Sequence, residues 1–292
     1  MSNFPTLLHR RDTYIERIKP FMQTPIVKVM IGHRRVGKSY ILYQLINEIR
    51  NKEHDANIIY INKEDIAYVD IVSSKDLHDY IVTRLMSKRK NYIFIDEIQE
   101  IEDFKVAIRS LALNDSNDIY ITGSNSEMFS SDLANELGGR YVEFKIYSLS
   151  YMEFLDFHKL NNDDESLEKY NRFGGLPYLI HLPMREEVVM EYIRSVYSTI
   201  VLRDVVARNN IRNTAFLEQL IRFLADNIGS LFSSKSISDF LKSQNIRMSP
   251  TLVSEYADSL ASAFVVHRLG RYDIIGIQLT FSKKYILTEL LM

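Results

Sequence analysis

The stretch IGHRRVGKSY, residues 31–40, places Gly32, Gly37, Lys38 and Ser39 at the spacing of a phosphate-binding loop. His33, Arg34, Arg35 and Val36 stand between the glycines and Tyr40 follows them. Phosphates need several hydrogen-bond donors converging on a small anionic volume. Glycines let the backbone curl so that successive N–H groups point inward, and a helix that starts near Lys38 adds its positive end. In that geometry Lys38 reaches the β- and γ-phosphates and the Ser39 hydroxyl binds Mg2+. The plain alternative is a glycine turn with a solvated lysine. The flanks speak against it. IVKVMI (26–31) is an apolar, β-branched run that reads as a buried strand, and YILYQLINEI (40–49) reads as a helix. Strand, glycine loop and helix in succession are the context that a phosphate loop requires.

Working outward, NIIYIN (57–62), YIFID (92–96), DIYITGSN (118–125) and YVEFKIY (141–147) read as further strands. Helical stretches separate them, among them DLHDYIVTRLM (76–86) and FKVAIRSLALN (104–114), and RRDTYIERIKPFM predicts a short amphipathic helix ahead of the first strand. Alternation of this kind implies a parallel sheet flanked by helices. From SYMEFLDFH (150–158) onward the pattern turns helical, interrupted by FGGLPYLI (173–180). After Thr214, three helices with short polar turns precede the strand-like VVHRLGRYDIIGIQLTF, a winged-helix reading, with Ser249-Pro250 as cap and first-turn residue of the third helix. The expected organisation is an N-terminal helix (1–24), a P-loop ATPase core (25–149), a helical lid (150–205), a winged-helix-like domain (206–275) and the start of a further domain (276–292).

A phosphate loop needs a metal-organising acid at the end of another strand. YIFIDE supplies Asp96, to hold Mg2+ through water, and Glu97, placed to polarise an attacking water. Taken alone, Asp-Glu after a strand is an ordinary solvated strand end; the loop some sixty residues earlier gives it its meaning. One strand intervenes in sequence, and a glutamate follows the aspartate. That is the arrangement of hydrolytic P-loop ATPases rather than of small nucleotide kinases.

Composition narrows the remaining classes. The 292 residues carry a net charge of −2, which gives no general reason to expect nucleic acid. With no cysteine, disulfides, thiolate zinc sites and cysteine nucleophiles are excluded, and the usage fits a reducing cytoplasm. The opening stretch lacks the apolar core of a secretory signal, and no apolar run reaches the roughly 18 residues of a spanning helix. A cytoplasmic protein without membrane association is expected.

The set GHRRVGKS, FIDEIQEI, ITGSNSEMFS, LGGRYVEFKIYSLSYMEF and FGGLPYLI, in this order, resembles predicted bacterial and archaeal AAA+-like ATPases that carry a C-terminal domain of unknown function. The family usually has proline where His33 stands, in the variable part of the loop. The resemblance implies ATP and Mg2+ as ligands and further roles. Asn125, with Ser124 beside it, matches the polar strand end that senses the γ-phosphate; its bland counterpart is a turn of small polar residues. Arg140 resembles the arginine placed near a neighbouring subunit's phosphate, against which stand a surface arginine and an ion-pair partner. Pro177 matches the proline that packs by the base, or is a plain helix break. Arg34 and Arg35 are expected to tune affinity, one of them pairing with an acid such as Glu97 or Asp96. The final QLTFSKKYILTELLM has Glu289 where the family's pattern has aspartate and no glycine after it. The resemblance therefore implies a truncated or split member, whose apolar tail packs as an edge strand or is loosely held and promotes self-association.

The implied function is slow, Mg-dependent ATP hydrolysis that resets a conformational state, with a protein partner or self-association. Absence of a guanine-specificity motif leans towards adenine. The alternative is a regulatory module that binds protein or DNA under nucleotide control and barely hydrolyses. DNA is disfavoured, because TLVSEYADSLAS brings Glu255 and Asp258 and no basic residue to the would-be recognition helix.

Overall fold

The computed structural model describes residues 9–125, 136–228, 230–244, 246–272 and 278–287, with backbone alone for 231–232, 268–272 and 278–287. It divides into two compact units, Met1–Tyr147 and Ser148–Met292.

In the first unit, α1 (Asp12–Ile18) buries Tyr14, Ile15 and Ile18, the helical stripe that the sequence predicts. The strands β1 (Val27–Ile31), β2 (Asn57–Asn62), β3 (Asn91–Asp96), β4 (Asn117–Gly123) and β5 (Tyr141–Lys145) alternate with α2 (Lys38–Lys52), α3 (Ser74–Val82) and α4 (Phe104–Leu111). All pairings are parallel and the spatial order is β2-β3-β4-β1-β5. Strand β4 thus lies between the loop strand and the acid strand. Every residue of β1, β3 and β4 is buried. That explains their largely apolar composition, since a flanked parallel sheet has no wet face. Helix α2 packs Ile41, Leu42, Leu45, Ile46 and Ile49 into a core shared with Met30, Phe94, Tyr120 and Phe144. Each such burial contributes roughly 1.5–3 kcal/mol. Phe94 and Tyr120 stack at 4.5 Å between ring centres.

A buried ion pair sits beside this core. Lys28, in the middle of the IVKVMI run, is fully buried and pairs with the equally buried Asp118 of β4. Its ammonium also donates to Thr24 O at 2.9 Å. Asp118 Oδ2 accepts from Tyr120 Oη at 2.8 Å and from Gln23 N at 2.7 Å. Burial pushes the Lys28 pKa down, and Asp118 offsets this only in part.

The second unit opens with α5 (Tyr151–His158), started by a reciprocal Ser150–Glu153 cap, and α6 (Asp164–Phe173). Gly174 ends α6 at φ 69°. A Cβ on Gly175 would lie 2.3 Å from Leu149 O, so both glycines of FGGLPYLI have conformational or packing reasons. Helix α7 (Glu186–Thr199) runs into a π-helical stretch, Ile200–Ala207, whose β-branched composition gave no sign of it. Then come α8 (Thr214–Asp226), β6 (Leu231–Phe232), α9 (Ser234–Ser243), α10 (Pro250–Ser262), β7 (Val266–Tyr272) and β8 (Gln278–Leu287). Ser249 caps α10 by accepting from Leu252 N at 3.2 Å, with Pro250 at the first helical position. Buried residues from Phe173 to Val266 form one core.

The three C-terminal strands pair antiparallel in the order β6-β8-β7. Residues 278–287 therefore form the middle strand, so the described part of the tail expected to be an edge strand or loosely held, 284–287, is central instead. Residues 288–292, with Glu289, lie outside the described residues. Among the described residues no helix is long and apolar enough to cross a membrane.

Candidate nucleotide-binding site

Because the five strands are parallel, their C-terminal ends face one way, and the loops that leave them gather there. From β1 comes the glycine loop. Gly37 takes a left-handed conformation (φ 90°, ψ 26°) immediately before α2, so the helix N-terminus opens on the loop. Gly32 is required by a different contact. A Cβ there would lie 2.1 Å from Ile146 O, just past β5, and only glycine lets the chain pass. Val36 is buried in the core, and its carbonyl accepts from Arg11 Nη1 at 2.9 Å. The same nitrogen donates to Tyr147 O at 2.8 Å. Arg11 was not singled out from the sequence; it lies 25 residues before its loop partner, and nothing local marks it.

Lys38 is buried and its ammonium has three acceptors. It donates to Gly32 O at 3.0 Å and to His33 O at 3.1 Å, and lies 3.4 Å from Glu97 Oε1. Three acceptors match its three N–H donors. His33 is buried too, its Nδ1 2.7 Å from Arg34 O. Ser39 is half-buried, and its hydroxyl helps to lower the Asp96 pKa. Tyr40 is exposed, edge-on to Tyr43.

Asp96 ends β3 and is 1% exposed. Thr122 Oγ1 donates to its Oδ1 at 2.5 Å, and Tyr60 Oη lies 3.3 Å from its Oδ2. Burial pushes its pKa up, opposed by the hydrogen bonds from Ser39 and Thr122. Glu97 is 7% exposed and sits in the left-handed region at φ 55°, ψ 50°. Such backbone costs of order 1–3 kcal/mol and clusters at functional sites. Its N–H donates to Thr122 Oγ1 at 2.9 Å. Burial pushes its carboxyl up, but Lys38 and the Gln99 amide more than offset this and hold it below the usual range. Gln99 Nε2 donates to Glu97 Oε2 and lies 3.3 Å from Ser124 Oγ. Ser124 and Asn125, at the end of β4, are both buried.

The structure thus brings together the loop, Asp96, Glu97, Ser124 and Asn125. Of the two loop arginines, Arg34 has acids beside it, Glu64 and Glu100. Its guanidinium, 9% exposed, lies 3.3 Å from Glu64 and 3.8 Å from Glu100, because the turns after β2 and β3 reach it first. Its charge still helps to lower the Glu97 pKa. Arg35 is exposed, at φ 70°. Arg140 is exposed and precedes β5, whose Tyr141 pairs with Val27 at the start of β1. It therefore stands at the opposite end of the strands from the loop, roughly 16 Å away at ~3.3 Å per residue. Within one chain it does not reach the site. Pro177 belongs to the second unit, at the start of the turn Pro177–His181. Sequence reasoning missed Thr122, Tyr60, Gln99 and Arg11. Thr122 and Gln99 lie within stretches it quoted, ITGSN and FIDEIQEI, but hydroxyl and amide side chains carry no signal of their partner.

Comparison with known proteins follows the same division. A family model described as an AAA domain matches residues 24–155, and one described as a domain of unknown function matches residues 164–288. An uncharacterized protein of Haemophilus influenzae is 35% identical over 273 residues, covering 91% of this chain and 68% of its own length. One from Methanocaldococcus jannaschii is 30% identical over 276 residues, covering 89% and 60%. This chain spans about two thirds of the length of these relatives. Among solved structures, Cdc6p from Pyrobaculum aerophilum is similar at 13% identity and a TM-score of 0.42, over 99% of this chain and 93% of that one. AMPPCP-bound DnaA from Aquifex aeolicus is similar at 15% identity and a TM-score of 0.39, over 75% of each. Scores this low add no weight to the sequence relationship. On that relationship and the parallel sheet with its loop, the chain belongs to the AAA-domain family of P-loop NTPase-like proteins with a C-terminal domain of unknown function.

Proposed function

We propose that the protein binds ATP with Mg2+ and hydrolyses it slowly, using the energy to switch conformation. The observation that carries this reading is the convergence of Lys38, Asp96 and Glu97 on one loop, with Lys38 and Glu97 3.4 Å apart. Phosphates entering the loop compete with Gly32 O, His33 O and Glu97 for the Lys38 ammonium. Their binding therefore exchanges one set of contacts for another, which is how a ligand shifts a conformational equilibrium.

The metal fits the donors present. Ser39 and Asp96 offer the hard oxygen ligands that Mg2+ prefers, and phosphate oxygens and water would complete its shell. Bound there, it would neutralise charge between the β- and γ-phosphates. Thr122 and Tyr60 hold Asp96, and the backbone N–H groups of residues 32–39 cradle the phosphates. In the chemical step Glu97 takes a proton from water. The water oxygen forms the new bond to the γ-phosphorus, and the bond to the bridging oxygen breaks to release ADP. Asn125 contacts the γ-phosphate, and Arg34 and Arg35 raise the local positive potential.

Lys38→Ala tests the reading. Nucleotide affinity should fall roughly 10- to 100-fold, from ~1.5–3 kcal/mol per charged hydrogen bond, and phosphate release from ATP or GTP should disappear. Equal thermal stabilisation of parent and variant by Mg-ATP would refute the assignment.

Arg140 is assigned to a neighbouring subunit's site, since it cannot serve its own. Turnover per chain should then rise with protein concentration, and Arg140→Ala should remove that rise. A concentration-independent rate, unchanged in the variant, would return Arg140 to a surface role.

The order α8-β6-α9-α10-β7-β8, with its antiparallel strands, supports the winged-helix reading of residues 206–275, preceded by a lid at 150–205. Glu255 and Asp258 are exposed on α10, which opposes DNA approach through that helix. A protein partner or a second copy suits this unit better.

A further inference from the structure

The turn after β3 holds Gln99 against the Glu97 carboxylate. Gln99 Nε2 donates to Glu97 Oε2, while Glu97 Oε1 faces Lys38. The two oxygens of the carboxylate are thus held by different partners. Gln99 Nε2 also lies 3.3 Å from Ser124 Oγ, beside Asn125. Its other polar atom, Oε1, is buried and has no hydrogen-bond partner among the described residues. The amide orientation is fixed by chemistry, since turning it over would set Oε1 against the Glu97 carboxylate. A buried acceptor left unpaired is costly, and in a native site it marks a place for a donor.

We infer that Gln99 positions both Glu97 and the attacking water, its Nε2 fixing the carboxylate and its Oε1 accepting a hydrogen bond from one O–H of the water while the proton of the other O–H passes to Glu97. This rests on the hydrolytic reading above. Phosphate binding draws Lys38 away from Glu97 Oε1 and frees that oxygen as the base. Gln99 keeps Oε2 in place meanwhile, so the carboxylate does not swing after the lysine. The contact with Ser124 ties this arrangement to the strand end that meets the γ-phosphate, so the base is oriented when a triphosphate is present. No bond of Gln99 forms or breaks.

The test uses the full chain with Gln99→Met, which keeps length and loses donor and acceptor together. Gln99→Glu is the second variant; it keeps the shape and loses the donor. In each, kcat should fall about tenfold or more, with affinity for Mg-ATP within about threefold of the parent, because Gln99 touches water and base rather than phosphate. In a Glu97→Gln background the same change should lower residual turnover less than about twofold, since the two residues act as a unit. A merely structural role would lower affinity and thermal stability along with kcat, and would do so in both backgrounds. Parental kcat in a folded Gln99→Met or Gln99→Glu, with Glu97→Gln inactive, would overturn this inference and leave the hydrolytic reading standing. Parental kcat in Glu97→Gln would overturn that reading itself.

Discussion

Turnover of ATP should fall roughly 100- to 1,000-fold in Glu97→Gln, the usual weight of a general base, while nucleotide binding persists. The two halves of this expectation have separate causes. Glutamine keeps the shape of the side chain and still fills the space beside Gln99, but it cannot take a proton from water. It also cannot form an ion pair with Lys38. In the parent that pair, at 3.4 Å and buried on both sides, is one of the contacts that incoming phosphates must displace. Removing it leaves Lys38 with Gly32 O and His33 O, so affinity for Mg-ATP should hold or tighten. Single-turnover phosphate release, with affinity measured alongside, checks both halves. Parental turnover would remove Glu97 as the base; lost binding in a folded protein would show that its carboxylate shapes the loop rather than competing for it.

Asp118→Ala should destabilise the first unit by about 3–5 kcal/mol, the usual cost of stripping one partner from a buried ion pair. Lys28 has no exposed surface and keeps the Thr24 carbonyl and the face of the Tyr120 ring once Asp118 is gone. Tyr120 Oη and Gln23 N lose their acceptor as well. The stabilisation is therefore that of a network and sits towards the upper end of the range. Its expected signature is a lower denaturation midpoint at an unchanged denaturant slope. Lys28→Met together with Asp118→Asn should recover part of the loss, because no charge is then left in the core. A single variant within about 1 kcal/mol of the parent would mean that the unit relaxes to let water reach Lys28. Nothing in this network touches the nucleotide loop, so an Asp118 variant that still folds should bind Mg-ATP like the parent.

These two residues differ in how far the sequence announced them. Glu97 is legible because function and pattern coincide: four apolar residues, then Asp96 and Glu97, after a glycine loop. Lys28 is not, because one lysine in IVKVMI looks like a flaw in a strand until its partner is known. That partner lies 90 residues away. The tail shows the same limit from the other side. Alternation in QLTFSKKYIL marks a strand, but only pairing with both β6 and β7 makes it central.

By itself the sequence determined the local units, and through them the class of chemistry. Period-2 and period-3.6 patterns set the strands and helices, glycine at 37 set the left-handed entry to α2, and residue types at fixed spacing set the phosphate loop and the acid pair. Tertiary structure decided which of those units became neighbours. It placed β4 between β1 and β3, which lets Thr122 bridge Asp96 and Glu97. It sent Arg34 to Glu64 and Glu100, left Arg140 at the far end of the strands, brought Gln99 onto Glu97, and put Ile146 O where only Gly32 could pass. The physical reason is one of range. Propensity and periodicity act over a few residues, whereas a hydrogen bond or close contact between distant segments exists only once packing has fixed the strand order.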